Sequence, residues 1–367
     1  MSASDQHYMQ IALELASQAL GRTSPNPVVG AVIVKDGEVV GAGYHLKAGT
    51  PHAEIHALNQ AGVKASGATV YVTLEPCSHY GRTPPCADAL VKAGVRRVVI
   101  ATLDPNPQVA GQGRQKLLKA GIIVDTGIME KEARQLNEAY IKYIQTRIPF
   151  VALKTAMTLD GKIAAAGGDS KWITAEDARN HVHRLRNIHD AILVGIGTVL
   201  HDDPRLNTRL NCDDIHHPVR VIIDSYLDLP LNSQIVKSSH ELRSLVFCSS
   251  QADLQRATRL QAAGCEIIRL PEQEGLVPLE NVLQHLGREG ICSVLVEGGG
   301  EINASLLERQ LVDKVYWFIA PKIIGGRNAA TPVMGTGLNM MQEAWELQSI
   351  EVTRFEKDIL ITGYFDK

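Results

Sequence analysis

TLEPCSHYGRTPPCADAL, residues 73–90, puts one cysteine at the end of a buried strand and a second at the start of a helix. The run ATVYVTL (68–74) leading into it is apolar and rich in β-formers, which reads as a buried strand. Pro84–Pro85 are suited to open a helix at Cys86, and ADALVKAG carries that helix to Gly94. A strand feeding a helix is the repeating unit of an α/β layered domain. The flanking segments repeat it.

Before this stretch, residues 1–20 read as an amphipathic helix with Tyr8, Ala12, Leu15 and Ala19 on one stripe. VVGAVIVKD (28–36) and EVVGAGYH (38–45) form a hairpin turning at Asp36–Gly37, and a helix runs from about His52 to Ala61. After it come a strand at VRRVVIAT (95–102), a helix at GRQKLLKA (113–120) and a short strand at GIIVDTG (121–127). EKEARQLNEAYIKYIQT (130–146) reads as one helix, with Ala133, Leu136, Tyr140 and Ile144 at helical spacing. That helix ends at Thr146, and Pro149 opens the new strand PFVALKTAM, so the expected domains are 1–146 and 150–367. The second domain alternates again. DAILVGI, VRVIID, SLVFCSS, CEIIRL, ICSVLVEG and DKVYWFIA read as strands, with helices near 175–187, 252–262, 278–287 and 301–310. LQSIEVTRF and DILITGYF read as an antiparallel pair at one edge.

The chain has 367 residues, 45% hydrophobic content and a formal net charge of −3. That is ordinary for a globular protein and gives no sign of a polyanion-binding surface, leaving room only for a local basic groove. The N-terminus lacks a basic start, and Asp5 and Glu14 interrupt its apolar run, so it is no secretory signal. No apolar run is long enough to cross a bilayer. Six cysteines in so long a chain do not form a disulfide framework, so a reducing cytoplasm is expected. Cys212, Cys248, Cys265 and Cys292 read as small buried hydrophobes.

HAEIHAL (52–58) supplies the remaining chemistry. His52 opens a helix, as Cys86 does, and backbone N–H groups at a helix start lower a thiol's pKa. One imidazole and the thiolates of Cys77 and Cys86 are the three protein ligands of a catalytic zinc, whose fourth position takes water. In the first helical turn Glu54 can then stand beside that water as the proton carrier. His56, a turn deeper, belongs to the helix flank. Zinc nucleobase deaminases carry H-x-E…P-C-x-x-C. This chain matches H-A-E and P-C, but eight residues separate Cys77 from Cys86. His79, inside that loop, is a competing ligand. It ranks below Cys86 because zinc takes thiolate readily and because the two prolines start a helix at Cys86.

HAE, EPCSHYGRTPPC and SPNPVVGAVIV (24–34) together resemble the deaminase half of the bifunctional riboflavin-biosynthesis deaminase/reductase family, which carries the same long loop between its cysteines. The resemblance implies a cytidine-deaminase-like three-layer αβα domain. Asn26, in a Pro-Asn-Pro turn, is the candidate for holding the substrate ring.

In the second domain a buried strand ends at Glu297 and three glycines lead into a helix near Glu301, an arrangement that lets a phosphate approach backbone N–H groups. It is not a G-x-G-x-x-G fingerprint, and GIGTVL (195–200) is not one either. LKTAMTLDGKIA (153–164), DSKWIT (169–174), GTVLHDDPRLNTR (197–209) and IAPKIIGG (319–326) stand at strand ends, where α/β sheets place ligands. With VEGGG they are similar to the reductase half of the same family, which has a dihydrofolate-reductase-like α/β fold. The resemblance implies NADPH, lined by Ala156, Trp172, Thr198, Asp202, Ser225, Gly299, Gly300 and Glu301. It implies a phosphorylated pyrimidine substrate met by Lys154, Ser170, Arg186, Leu206, Arg209 and Glu297. Arg186 and Arg209 fit a phosphate clamp, and Lys154 would favour hydride transfer to an opened-ring imine electrostatically.

A homo-oligomer is the expected assembly. Two other readings differ in class: a nucleic-acid base deaminase, and a deaminase whose C-terminal half senses a nucleotide without turning it over. Against the first stand the slightly acidic balance and an aromatic content of only 5%.

Overall fold

The computed structural model describes residues 3–79, 84–107, 109–212 and 214–366. Residues 80–83, in the middle of the loop between Cys77 and Cys86, lie outside that set. The chain divides into two compact units, Met1–Arg147 and Ile148–Lys367.

The first unit holds a five-stranded sheet in the order β2-β1-β3-β4-β5. Its strands are β1 Gly30–Lys35, β2 Glu38–Tyr44, β3 Thr69–Leu74, β4 Arg97–Thr102 and β5 Ile123–Thr126. β1 runs antiparallel to β2 and β3, while β3, β4 and β5 are parallel. Alternation along the strands covers both faces. Ala31, Ile33, Val70, Val72 and Ile100 pack with Ala53, Ala57, Leu90 and Leu117 on one side. Val32, Val34, Tyr71 and Val99 pack with Met9, Ala12, Leu13 and Ala133 on the other. These are the three expected layers. The hairpin turns where Asp36 and Gly37 take φ of 52° and 85°, the conformation a two-residue turn requires.

The opening helix, Ala3–Ser17, buries Asp5, Met9, Ala12, Leu13 and Ala16; of the stripe read from the sequence, Ala12 and Ala19 are buried, while Tyr8 and Leu15 are partly buried against the core. The face is set by Asp5, which receives both Arg97 and the Tyr71 hydroxyl. Residues 130–146 form two helices, Glu130–Leu136 and Glu138–Thr146, not one. The break is at Asn137, whose side-chain amide pairs with both the N–H and the C=O of Val28 at 2.9 Å.

The second unit holds a nine-stranded sheet in the order β10-β9-β8-β7-β11-β6-β12-β14-β13. The strands are β6 Phe150–Thr158, β7 Ala191–Gly195, β8 Val219–Ile223, β9 Ser244–Ser249, β10 Glu266–Leu270, β11 Ser293–Val296, β12 Lys314–Ala320, β13 Leu347–Arg354 and β14 Ile359–Phe365. The first seven in sheet order are parallel, and β14 and β13 close one edge antiparallel. Parallel strands bring their C-terminal ends to one side of the sheet, so residues following β6, β7, β8 and β11 gather there. Ile196–Asp202, read as a strand-end loop, is a short helix. Cys248, Cys265 and Cys292 are buried as expected, but Cys212 is exposed. Among the described residues no helix is long and apolar enough to cross a membrane.

Candidate active sites

The first site is set by how closely a helix lies on β2. An added Cβ at Gly41 would stand 2.2 Å from the Ala57 carbonyl oxygen, and one at Gly43 would stand 2.4 Å from His56 Cβ. Only glycines on the strand and alanines on the helix Ala53–Ala61 allow that approach. His52 is the N-cap of this helix and Glu54 lies in its first turn. Cys77 follows the end of β3, and Cys86 is the first residue of the helix Cys86–Lys92. His52 Nδ1 lies 3.3 Å from Cys86 Sγ and 3.6 Å from Cys77 Sγ. The three donor atoms all fall within 4.8 Å of one another. The Cys86 N–H donates to Cys77 Sγ at 3.3 Å, the help expected from a helix start. The Cys86 side chain, with His52 and that N–H, holds the Cys77 thiol down to about 4. Bonding to Cys77 and burial push Cys86 up. One imidazole and two sulfurs converging on one point are a donor set that fits zinc.

Glu54 is 3% exposed, and burial together with the Cys77 charge pushes its carboxyl up to about 7. His56 stays on the flank over Gly43, and His79 is exposed and outside the three-atom group. Asn26 joins the site through a residue the sequence did not flag. The buried His45 approaches the Asn26 amide with Nε2 at 3.5 Å and the Pro51 carbonyl with Nδ1 at 3.2 Å. Its ring stands edge-on to His52, 5.3 Å between centroids. Glu75 was also missed. Its buried carboxylate accepts the N–H groups of Asp104, Gly111 and Arg114, fixing the chain beside Pro76–Cys77.

The second site centres on Glu297, just past β11. Arg186 grips it with two bonds, Nε to Oε1 at 2.6 Å and Nη2 to Oε2 at 2.9 Å, and gives a third to the Asn207 carbonyl at 3.0 Å. Lys154 Nζ stands 3.7 Å from Glu297 Oε2. Burial opposes the charge on Glu297, but Arg186 and Lys154 outweigh it and hold the carboxyl down to about 2. Burial lowers the Lys154 pKa against the pull of Glu297. Ala156, two residues along β6, shares the face of Lys154.

The Ser170 hydroxyl donates to Asp202 at 3.1 Å, tying residues 169–174 to the helix Ile196–Asp202. Trp172, 61% exposed, has the Arg179 guanidinium 4.6 Å from its ring centroid, and Lys322 bonds its carbonyl. Leu206 is buried with φ 51°, and Arg209 is exposed, its Nη1 bonded to Asn207 Oδ1 at 3.1 Å. Ser225 follows β8 on the same side of the sheet, its hydroxyl oxygen accepting the Val277 N–H at 3.2 Å.

A Cβ at Gly300 would stand 2.4 Å from Met334 Cγ and 2.6 Å from the Thr331 carbonyl oxygen, so that glycine serves protein packing. A Cβ at Gly299 would make only ordinary contact with Thr198 Oγ1, at 3.6 Å, and Glu301 follows in the first helical turn.

Comparison with known proteins accounts for both sites. Residues 2–102 match the family described as the cytidine and deoxycytidylate deaminase zinc-binding region, and residues 149–361 match the RibD C-terminal domain. Riboflavin biosynthesis protein RibD of Actinobacillus pleuropneumoniae is 44% identical over 97% of this chain and 94% of its own length. The chain belongs to the RibD family. RibD of Escherichia coli is 42% identical over 97% of this chain and 98% of its own. The solved structure of Acinetobacter baumannii RibD (form 1) superposes with a TM-score of 0.88 at 42% identity, covering 99% of both chains. A Thermotoga maritima structure, named a diaminohydroxyphosphoribosylaminopyrimidine deaminase/5-amino-6-(5-phosphoribosylamino)uracil reductase, gives 0.87 at 39% identity over 99% of both. Like the RibD family, this chain is a riboflavin-biosynthesis enzyme with a zinc-dependent deaminase and an NADPH-dependent reductase. The reductase match displaces the reading of the C-terminal half as a nucleotide sensor.

Proposed function

We propose that the chain deaminates a diaminohydroxyphosphoribosylaminopyrimidine in the unit Met1–Arg147 and reduces the ribosyl group of the deaminated product to ribityl in the unit Ile148–Lys367. The observation that carries this reading is the meeting of His52 Nδ1, Cys77 Sγ and Cys86 Sγ within 4.8 Å, with Glu54 buried in the same helical turn as His52. These three side chains hold the zinc, which when bound supplies the Lewis acidity that lets water lose a proton near neutral pH. Glu54 takes that proton, delivers it to the ring nitrogen and helps protonate the departing ammonia. A carboxyl whose environment lifts its pKa towards neutrality suits both directions of transfer. The approach of His45 Nε2 to the Asn26 amide at 3.5 Å supports the assignment of Asn26 as the residue that hydrogen-bonds the pyrimidine ring.

In the second unit Ala156, Trp172, Thr198, Asp202, Ser225, Gly299, Gly300 and Glu301 would line NADPH, which when bound would supply the hydride. Reduction of an opened-ring imine consumes one hydride and one proton. Lys154, its basicity lowered by burial, is suited to supply that proton, and Glu297 holds it in place. Ser170 and Leu206 contact the substrate beside them. Arg209 is the main phosphate contact. Arg186 keeps two of its five N–H donors for the phosphate after binding Glu297 and Asn207.

A cytoplasmic setting is supported by six unpaired cysteines. A homo-oligomer is supported by β13, an edge strand that exposes Ile350 and Val352. The function is tested by giving the purified chain the diaminopyrimidine substrate and NADPH. The expected result is equal amounts of ammonia released and NADPH oxidised. Ammonia release without substrate-dependent NADPH loss would overturn the two-step reading.

A further inference from the structure

The helix Glu176–Ile188 carries Arg179, His183 and Arg186, spaced by four and then three, so they share one face. Each holds a different segment of the reductase site. Arg179 stacks on Trp172, and Arg186 grips Glu297 and the Asn207 carbonyl. His183 Nδ1 accepts the backbone N–H of Arg209 at 3.3 Å. The segment 206–209 is therefore tied to this helix at two backbone points, one on each side of Thr208. It needs such ties, because Leu206 sits at φ 51°, a conformation a leucine disfavours. Arg209 projects from this segment with its guanidinium further steadied by Asn207 Oδ1. Where that guanidinium points depends on where the segment is held.

We infer that His183 is a positioning residue for substrate-phosphate recognition: by accepting the Arg209 N–H it fixes the backbone from which Arg209 reaches the phosphate. This rests on the reading above that Arg209 meets that phosphate. Accepting through Nδ1 puts the ring proton on Nε2 and makes the imidazole neutral. Burial, then the charges of Arg186 and Arg209, push His183 down to about 4, so it keeps that form at neutral pH. His183 makes the site more selective without adding a further cation to it, and no step of the chemistry passes through its ring.

The test compares reductase kinetics on the deaminated, phosphorylated substrate and on its dephosphorylated counterpart. His183→Phe keeps the ring volume without an acceptor, and His183→Asn keeps an acceptor where Nδ1 stands. His183→Ala and His183→Phe should raise KM for the phosphorylated substrate about five- to tenfold, with kcat falling less than about twofold. Their KM for the dephosphorylated compound should not move. His183→Asn should bring KM back to within about twofold of wild type. If His183→Phe matched wild type, or if KM rose equally for both substrates, His183 would have no part in reading the phosphate. Arg209→Ala separates the two layers. A raised KM there with none in His183→Ala overturns the inference about His183 alone, whereas an unchanged KM in Arg209→Ala overturns the phosphate assignment beneath it.

Discussion

Glu54 and Glu297 are both buried carboxylates, yet their surroundings drive them apart, one up to about 7 and the other down to about 2. Among the described residues no cationic side chain bonds to Glu54, whereas Glu297 has a guanidinium and an ammonium. A carboxyl held below its ordinary 4.5 contributes stability that is present above that pH and lost as pH falls towards 2. For Glu297 the linkage amounts to about 3 kcal/mol at 1.36 kcal/mol per unit. Urea unfolding of wild type and Glu297→Gln should differ most above about pH 5, and the gap should close as pH approaches 2. A gap that does not depend on pH would show that Glu297 is not ionised in this ion pair. The meeting of His52, Cys77 and Cys86, with Glu54 in the same first turn as His52, was legible in the sequence because each falls at an element end, where a strand or helix boundary aims a side chain. His45 and His183 were not, because their importance lies in which partner they meet. A lone histidine's spacing says nothing about a carbonyl at Pro51 or an N–H at Arg209. Arg179, His183 and Arg186 do share a helical period, and that was the available signal.

At the level of elements, the helix Ala53–Ala61 is seated by what β2 lacks. Gly43→Ala would push a Cβ to 2.4 Å from His56 Cβ and 3.0 Å from helix backbone, which cannot be relieved by rotating a side chain. The helix must lift, at a cost of about 1–3 kcal/mol, and His52 and Glu54 move with it. Thermal unfolding and zinc titration should both weaken in this variant. Wild-type zinc affinity with Gly43→Ala would mean that the strand contact does not place the ligands. The alternation of strands and helices was readable because burial imposes a period of two or 3.6 on the sequence. The break at Asn137 was not readable, because apolar spacing continues across it. The bonds that cause it go to Val28, far away in the chain. The helix Ile196–Asp202 was hidden for another reason: at 7 residues it is too short to show a period.

At the scale of the whole chain, the described apolar clusters each draw on one unit, so each site rests on its own core. A change confined to the chemistry of one site should leave the other working. Glu54→Gln should lower ammonia release about a hundred- to ten-thousand-fold, while NADPH oxidation continues when already deaminated substrate is supplied. Loss of both activities together would mean that Glu54 supports the fold rather than the proton transfer. All of this depends on His52, Cys77 and Cys86 sharing one ion, and elemental analysis reads that directly. Purified, active wild type should contain about one zinc per chain, and Cys86→Ser should contain almost none and release no ammonia. An active wild-type chain without zinc, or Cys86→Ser with its full complement of zinc, would contradict the account.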